Sequence, residues 1–196
     1  ATVSFTPSAL QTSPTRAANL LGWWKFDDDT NATVKDSSGN NNHGLLKNSS
    51  HSNVSTQHKT DTPTGTGKSI DLNGDHYVVV STTGQNTFDG GNQFTIAAWI
   101  KELPDENFAP WISKLGISNG WQIRKYGGQV QVTFTLCGVG ESELVENINP
   151  SKWTHLTGVW GGGKRKIFIN GALSMSEDRS GAVNITDSAL VFGARD

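Results

Sequence analysis

The chain has 196 residues, a formal net charge of −2, a pI near 6.2, a hydrophobic content of 34% and one cysteine. That length suits a single all-β domain, and seven Trp with eight Phe can fill its core although the apolar content is low. The balanced charge gives no basic patch for nucleic acid or an anionic membrane, no apolar run reaches the roughly 18–20 residues of a membrane helix, and Cys137 alone allows no internal disulfide.

Residues 1–19 are rich in Ser, Thr, Ala and Pro and lack periodicity; they read as a linker or edge segment, with one compact domain over 20–196. From Leu20 onward no stretch carries the helical period, whereas strand-like runs recur between turn clusters, so the expected class is all-β. Strands are expected at Leu20–Phe26, Ser69–Leu72, His76–Ser81, Phe94–Ile100, Trp111–Lys114, Trp121–Lys125, Gln129–Leu136 and Leu190–Gly193, and residues 47–67 read as a long surface loop. Phe94–Ile100 is apolar on both faces and suits a central strand covered on both sides. In Gln129–Leu136 the residues Val130, Val132, Phe134 and Leu136 take a core face, and Gln129, Gln131, Thr133 and Thr135 a wet one. Two more strands follow: one from Trp153 to Trp160, then a Gly161-Gly162-Gly163 turn, then one that reverses at Asn170-Gly171, a dipeptide that tolerates positive φ at both central turn positions.

Several blocks stand in a fixed order: Leu21-Gly22-Trp23-Trp24-Lys25-Phe26-Asp27, Asp36-Ser37-Ser38-Gly39-Asn40, Ile70 to Val78, Phe94 to Ile100, Trp153-Thr154-His155-Leu156, Phe168-Ile169-Asn170-Gly171 and Val191-Phe192-Gly193. Over about residues 20–196 this pattern resembles the laminin-G-like (concanavalin A-like) jelly-roll modules, and more distantly the pentraxins. The resemblance implies an antiparallel two-sheet jelly-roll β-sandwich, secreted or at the cell surface and part of a larger multidomain protein, that binds a glycan or an extracellular protein. It also implies core positions for Trp24, Trp99 and Trp153. Two departures stand out. The pentraxin disulfide is replaced by Thr157 and a position near Ala97, so the chain is not a true pentraxin. The chain also stops at Asp196, where related modules run into a final strand; either that strand is cut off or Thr2–Phe5 pairs along the edge instead.

In the resembled proteins calcium is held by a loop after the Phe-Thr strand and by residues past the Leu-x-x-Gly strand. Those places here are Asp105, Glu106, Asn107 and Asp196, whose carboxylate and amide oxygens suit Ca²⁺, although a solvated acidic loop has the same composition. Asp27-Asp28-Asp29-Thr30-Asn31 starts like an EF-hand loop but lacks its Gly and bidentate Glu, at Ala32 and Ser38, and reads as a turn. Glu141 to Glu146 approximates the carboxylate strand of glycoside hydrolases on this fold, yet its flanking Gly and Pro mark a connection, so Glu143 is not read as catalytic. Gly65-Thr66-Gly67-Lys68-Ser69 precedes a strand and is a turn, not a phosphate loop. His43, His51 and His58 have no metal spacing and read as surface side chains.

Sugar rings offer apolar C–H faces to aromatic side chains and hydroxyls to amides and carboxylates. The expected ligand face is therefore Trp121, Gln122, Arg124, Tyr126, Gln129 and Gln131. The chain is read as a non-catalytic recognition module, carbohydrate-binding with calcium nearby. The alternatives are an adhesive or assembly module that binds protein and, third, a hydrolase or lyase.

Overall fold

A computed structural model describes residues 19–27, 31–55, 58–72, 75–80, 88–101, 110–116, 119–125, 131–139, 145–149, 151–184 and 186–193. All regular structure among them is β, in fourteen strands. They are β1 (Thr33–Val34), β2 (Gly44–Asn48), β3 (His58–Lys59), β4 (Ser69–Ile70), β5 (His76–Val80), β6 (Phe94–Ile100) and β7 (Pro110–Leu115), then β8 (Gly120–Lys125), β9 (Gln131–Leu136), β10 (Val145–Asn147), β11 (Thr154–Gly161), β12 (Lys164–Ile169), β13 (Ala172–Asp178) and β14 (Leu190–Phe192). The eight-stranded sheet runs β1-β2-β5-β14-β7-β8-β9-β10, the four-stranded sheet β13-β12-β11-β6, and β3 pairs with β4 alone. Every pairing is antiparallel. The architecture is the two-sheet jelly-roll sandwich that the sequence predicts.

Alternation along the strands builds the core. In β11 the residues Thr154, Leu156, Gly158 and Trp160 are buried while His155, Thr157 and Val159 face outward. From the large sheet Val78, Val80, Ile123, Val132, Phe134, Leu136 and Phe192 meet Leu156, Trp160 and Ile167 of the small one. Gly158 lets the sheets approach, since a Cβ there would lie 3.1 Å from Phe134 Cδ1 and 3.2 Å from Ile123 Cδ1. Arg165, fully buried on β12, spans the layers: Nη1 donates to Phe134 O at 2.9 Å and Nη2 to Glu177 Oε2 at 2.5 Å.

The two hairpins of the small sheet follow from turn chemistry. Gly162 and Gly163 (φ 61° and 71°) join β11 to β12, and Asn170 with Gly171 (φ 51° and 81°) joins β12 to β13, each a two-residue turn with positive φ at both positions.

Several expectations change. Leu20–Phe26 is not a strand; it makes a single bridge, Trp24 to Asp36, and is held by hydrogen bonds from Trp23 N to Asp36 Oδ1 and from Asn40 and Asn42 to Leu20 O and Leu21 O. β1, β2 and β13 were not expected, and β3 lies inside the segment read as a loop. Val145–Asn147, read as part of a connection, pairs with β9. Phe94–Ile100 is the edge strand of the described four-stranded sheet, with Thr95, Ala97 and Trp99 exposed, so it is not covered on both sides. In β9 the supposedly wet face is closed at Thr133, which is fully buried.

Candidate functional site

The expected ligand face is divided by the strand that carries it. Trp121 and Gln122 are neighbours in β8 and therefore point to opposite sides of the sheet. Trp121 is 3% exposed, packs against Phe94 with ring centroids 5.4 Å apart, and donates its indole N–H to Phe88 O at 2.6 Å. It is a core side chain and cannot offer a stacking surface. Gln122 and Arg124 lie on the other face, opposite Thr135 and Thr133 of β9. Gln122 is only 4% exposed; Arg124 and Gln131 are half-buried, and Gln131 Nε2 donates to Asn147 Oδ1 at 3.2 Å. Tyr126 and Gln129 lie outside the described residues, as do the expected calcium ligands Asp105, Glu106, Asn107 and Asp196. Among the described residues no three His, Cys, Asp or Glu side chains gather as a metal site would require.

Among the described residues the exposed aromatic side chain lies on the small sheet instead. Trp99, on edge strand β6, is 49% exposed and stands directly opposite His155 of β11, the rings tilted with centroids 5.0 Å apart. The next row on the same face is Ala97, Thr157, Phe168 and Leu173, in register across β6, β11, β12 and β13. Leu173 is 54% exposed.

At the end of the β6–β11 pair a carboxylate is fixed between two groups. Trp153, just before β11, donates its indole N–H to Asp61 Oδ1 at 2.8 Å, and Lys101, just after β6, forms an ion pair with Asp61 Oδ2. The Lys101 ammonium, and then the Trp153 N–H, hold the Asp61 carboxyl below its ordinary value, so it is an anion at neutral pH. Asn170 completes the rim: its Oδ1 accepts from His155 N at 3.0 Å, and its own N–H donates to His155 O at 2.8 Å. The strand pair thus carries an exposed indole, an imidazole and, at its end, a fixed carboxylate, an ammonium and an amide. These are the groups that pack against C–H faces and hydrogen-bond to hydroxyls.

Of these, Trp99 and Trp153 were expected in the core. Asp61 sits in the segment read as loop, and no local pattern connects it to residues forty and ninety-two positions away. His155 and Trp153, two apart in one strand-like run, were the available signal. The other histidines behave differently: His43 accepts from Asp36 N at 3.0 Å, His51 contacts the Tyr77 hydroxyl, and both ring nitrogens of half-buried His58 lack a hydrogen-bond partner among the described residues.

The model of the concanavalin A-like lectin/glucanases superfamily, of laminin G type, matches residues 72–196. The chain belongs to this superfamily. Among solved structures it is similar to domain 4 of AbnA, an extracellular GH43 arabinanase of Geobacillus stearothermophilus solved with arabinotriose, at 17% identity and a TM-score of 0.66, over 87% of this chain and 81% of that one. It is also similar to the binding domain of botulinum neurotoxin DC in complex with rat synaptotagmin II (18% identity, TM-score 0.60, 87% of this chain and 44% of that one). A third match is that binding domain with SialylT (16% identity, TM-score 0.58, 86% and 44%). At these identities the likeness is one of fold, and the chain spans less than half of each toxin domain. No curated protein matches.

Proposed function

We propose that this superfamily member is a non-catalytic, extracellular recognition module that binds carbohydrate on the outer face of its four-stranded sheet. The observation that carries this reading is Trp99, a half-exposed indole paired with His155 on the strand pair whose end holds the fixed Asp61 carboxylate. An exposed indole beside pre-ordered polar groups costs little entropy when a sugar ring settles on it. Support of a general kind comes from neighbours of the same fold solved with arabinotriose and with SialylT.

Titration calorimetry of the wild type and Trp99→Ala, with oligosaccharides chosen from a glycan panel, tests this. The reading expects affinity to fall at least about tenfold, or ~1.4 kcal/mol, with an unchanged far-ultraviolet spectrum. Equal affinity in both proteins would remove Trp99 from the site. Calcium belongs to the proposal through Asp105, Glu106, Asn107 and Asp196, and loss of binding on chelation is the expected sign of it. Polysaccharide turnover that Glu143→Gln eliminates would overturn the non-catalytic reading.

A protein ligand is the second reading. The row Ala97, Thr157, Phe168 and Leu173, apolar but for one hydroxyl, extends the Trp99 surface across all four strands, and a neighbour of this fold was solved with synaptotagmin II. Silence across the glycan panel together with capture of a protein partner that Leu173→Asp abolishes would favour it.

A further inference from the structure

Lys114, on β7, points its charged end into the molecule. Its side chain is 2% exposed, and Nζ lies 2.9 Å from Asp89 Oδ1, 2.9 Å from Thr186 O and 2.8 Å from Ser188 O. The two carbonyls are turned toward it by a tight 186–188 turn, in which Ser188 N and the Ser188 hydroxyl both meet Thr186 Oγ1, at 3.2 and 3.1 Å. Asp89 is 4% exposed; its contact with Lys114 is a charge pair without hydrogen-bond alignment, and Oδ2 has no hydrogen-bond partner among the described residues. An ammonium has three donors. A carboxylate oxygen left over beside two inward carbonyls is more than the lysine uses.

Anionic oxygen, carbonyl oxygens and a buried setting are the inner shell of a hard-cation site. We propose that Asp89, Thr186 O and Ser188 O form a cation cage that the Lys114 ammonium fills from within the chain. The cage accepts small primary ammonium ions or a divalent hard cation once that ammonium is removed. The lysine then does at this end of the sandwich what a bound metal would do. It ties β7 to the segment before β14 and to residues 88–91, which in turn receive the Trp121 indole N–H at Phe88 O and the Val183 N–H at Gly91 O. Gly120 belongs to the same arrangement: at φ 92° it passes so close that a Cβ would fall 1.9 Å from Lys114 O.

The inference does not rest on carbohydrate binding and is tested by thermal unfolding of the 196-residue chain. Lys114→Ala removes a propylammonium-sized piece and should lower Tm by roughly 5–10 °C. Propylammonium should restore at least half of that loss in the variant and change the wild type little, and Ca²⁺ should raise the Tm of the variant by more than that of the wild type; tetramethylammonium, with no N–H and too large a head, should not restore it. Should Lys114→Ala be obtained only unfolded, folding on addition of propylammonium carries the proposal. Lys114→Met supplies a filled, uncharged comparison, in which Asp89→Asn should recover stability because it neutralises the stranded carboxylate. A Lys114→Ala protein that no cation stabilises or folds, or a Lys114→Met protein as stable as the wild type, overturns the cage.

Discussion

Asp36 shows what one side chain can organise. Its buried carboxylate accepts from Trp23 N at 2.9 Å, Ser38 N at 2.8 Å, the Ser38 hydroxyl at 2.8 Å and Asn42 N at 3.0 Å. Burial alone would raise its pKa, but these donors, the Ser38 and Trp23 backbone first among them, outweigh burial and hold it below the ordinary value. A depressed folded pKa contributes stability that is full above the unfolded value near ~3.9 and is lost as pH falls through the folded value. Asp36→Asn, which turns an amide N–H₂ toward donors, should therefore cost about 1.5–3 kcal/mol at pH 7. In urea unfolding, the gap between variant and wild type should narrow below about pH 4; a constant gap would mean that the carboxylate charge is not what matters. The Asp36-Ser37-Ser38-Gly39-Asn40 block was visible in the sequence, but its role was not, because it fastens Trp23 N and the Leu20 carbonyl of a segment read as a strand.

At the scale of elements, the hairpins were legible and the sheet order was not. Asn170-Gly171 and the glycine run are local chemistry, and both turns form where they were expected. Whether Phe94-Thr95-Ile96-Ala97-Ala98-Trp99-Ile100 lies in the middle of a sheet or at its edge depends on strands sixty positions away. Its small alanines fit either place, so nothing local contradicts the core position that the family resemblance implies for Trp99. Trp121 failed for a simpler reason: joining it to Gln122 in one face ignores the two-residue period of a strand. β13 escaped notice because its side chains are largely exposed and its apolar alternation is confined to Leu173 and Met175. Between the layers, Arg165 is the connection most sensitive to change. Arg165→Ala should destabilise the sandwich by about 3 kcal/mol, since it removes the buried hydrogen bond to Phe134 O and the ion pair with Glu177 and opens a cavity in the interior. Chemical denaturation measures this, and a loss under about 1 kcal/mol would show the bridge to be dispensable.

Taken whole, the molecule separates its scaffold from its surface. The ordered blocks that carry the family resemblance mostly build the sandwich, and those from Phe94 onward lie inside the superfamily match over 72–196. The open surface is assembled from Trp99, His155, Trp153, Lys101 and Asp61, drawn from three distant stretches of chain. The aromatic-polar face expected from the sequence falls on the large sheet, where Trp121 is core; the exposed indole among the described residues, Trp99, stands on the small sheet. The most direct test is a ¹H–¹⁵N titration of the full chain with the best binder from the glycan panel. Shifts concentrated on β6, β11 and the Trp153 indole N–H are predicted; shifts confined to the Gln122, Arg124 and Thr133 face of the large sheet, or none with any glycan, would contradict it.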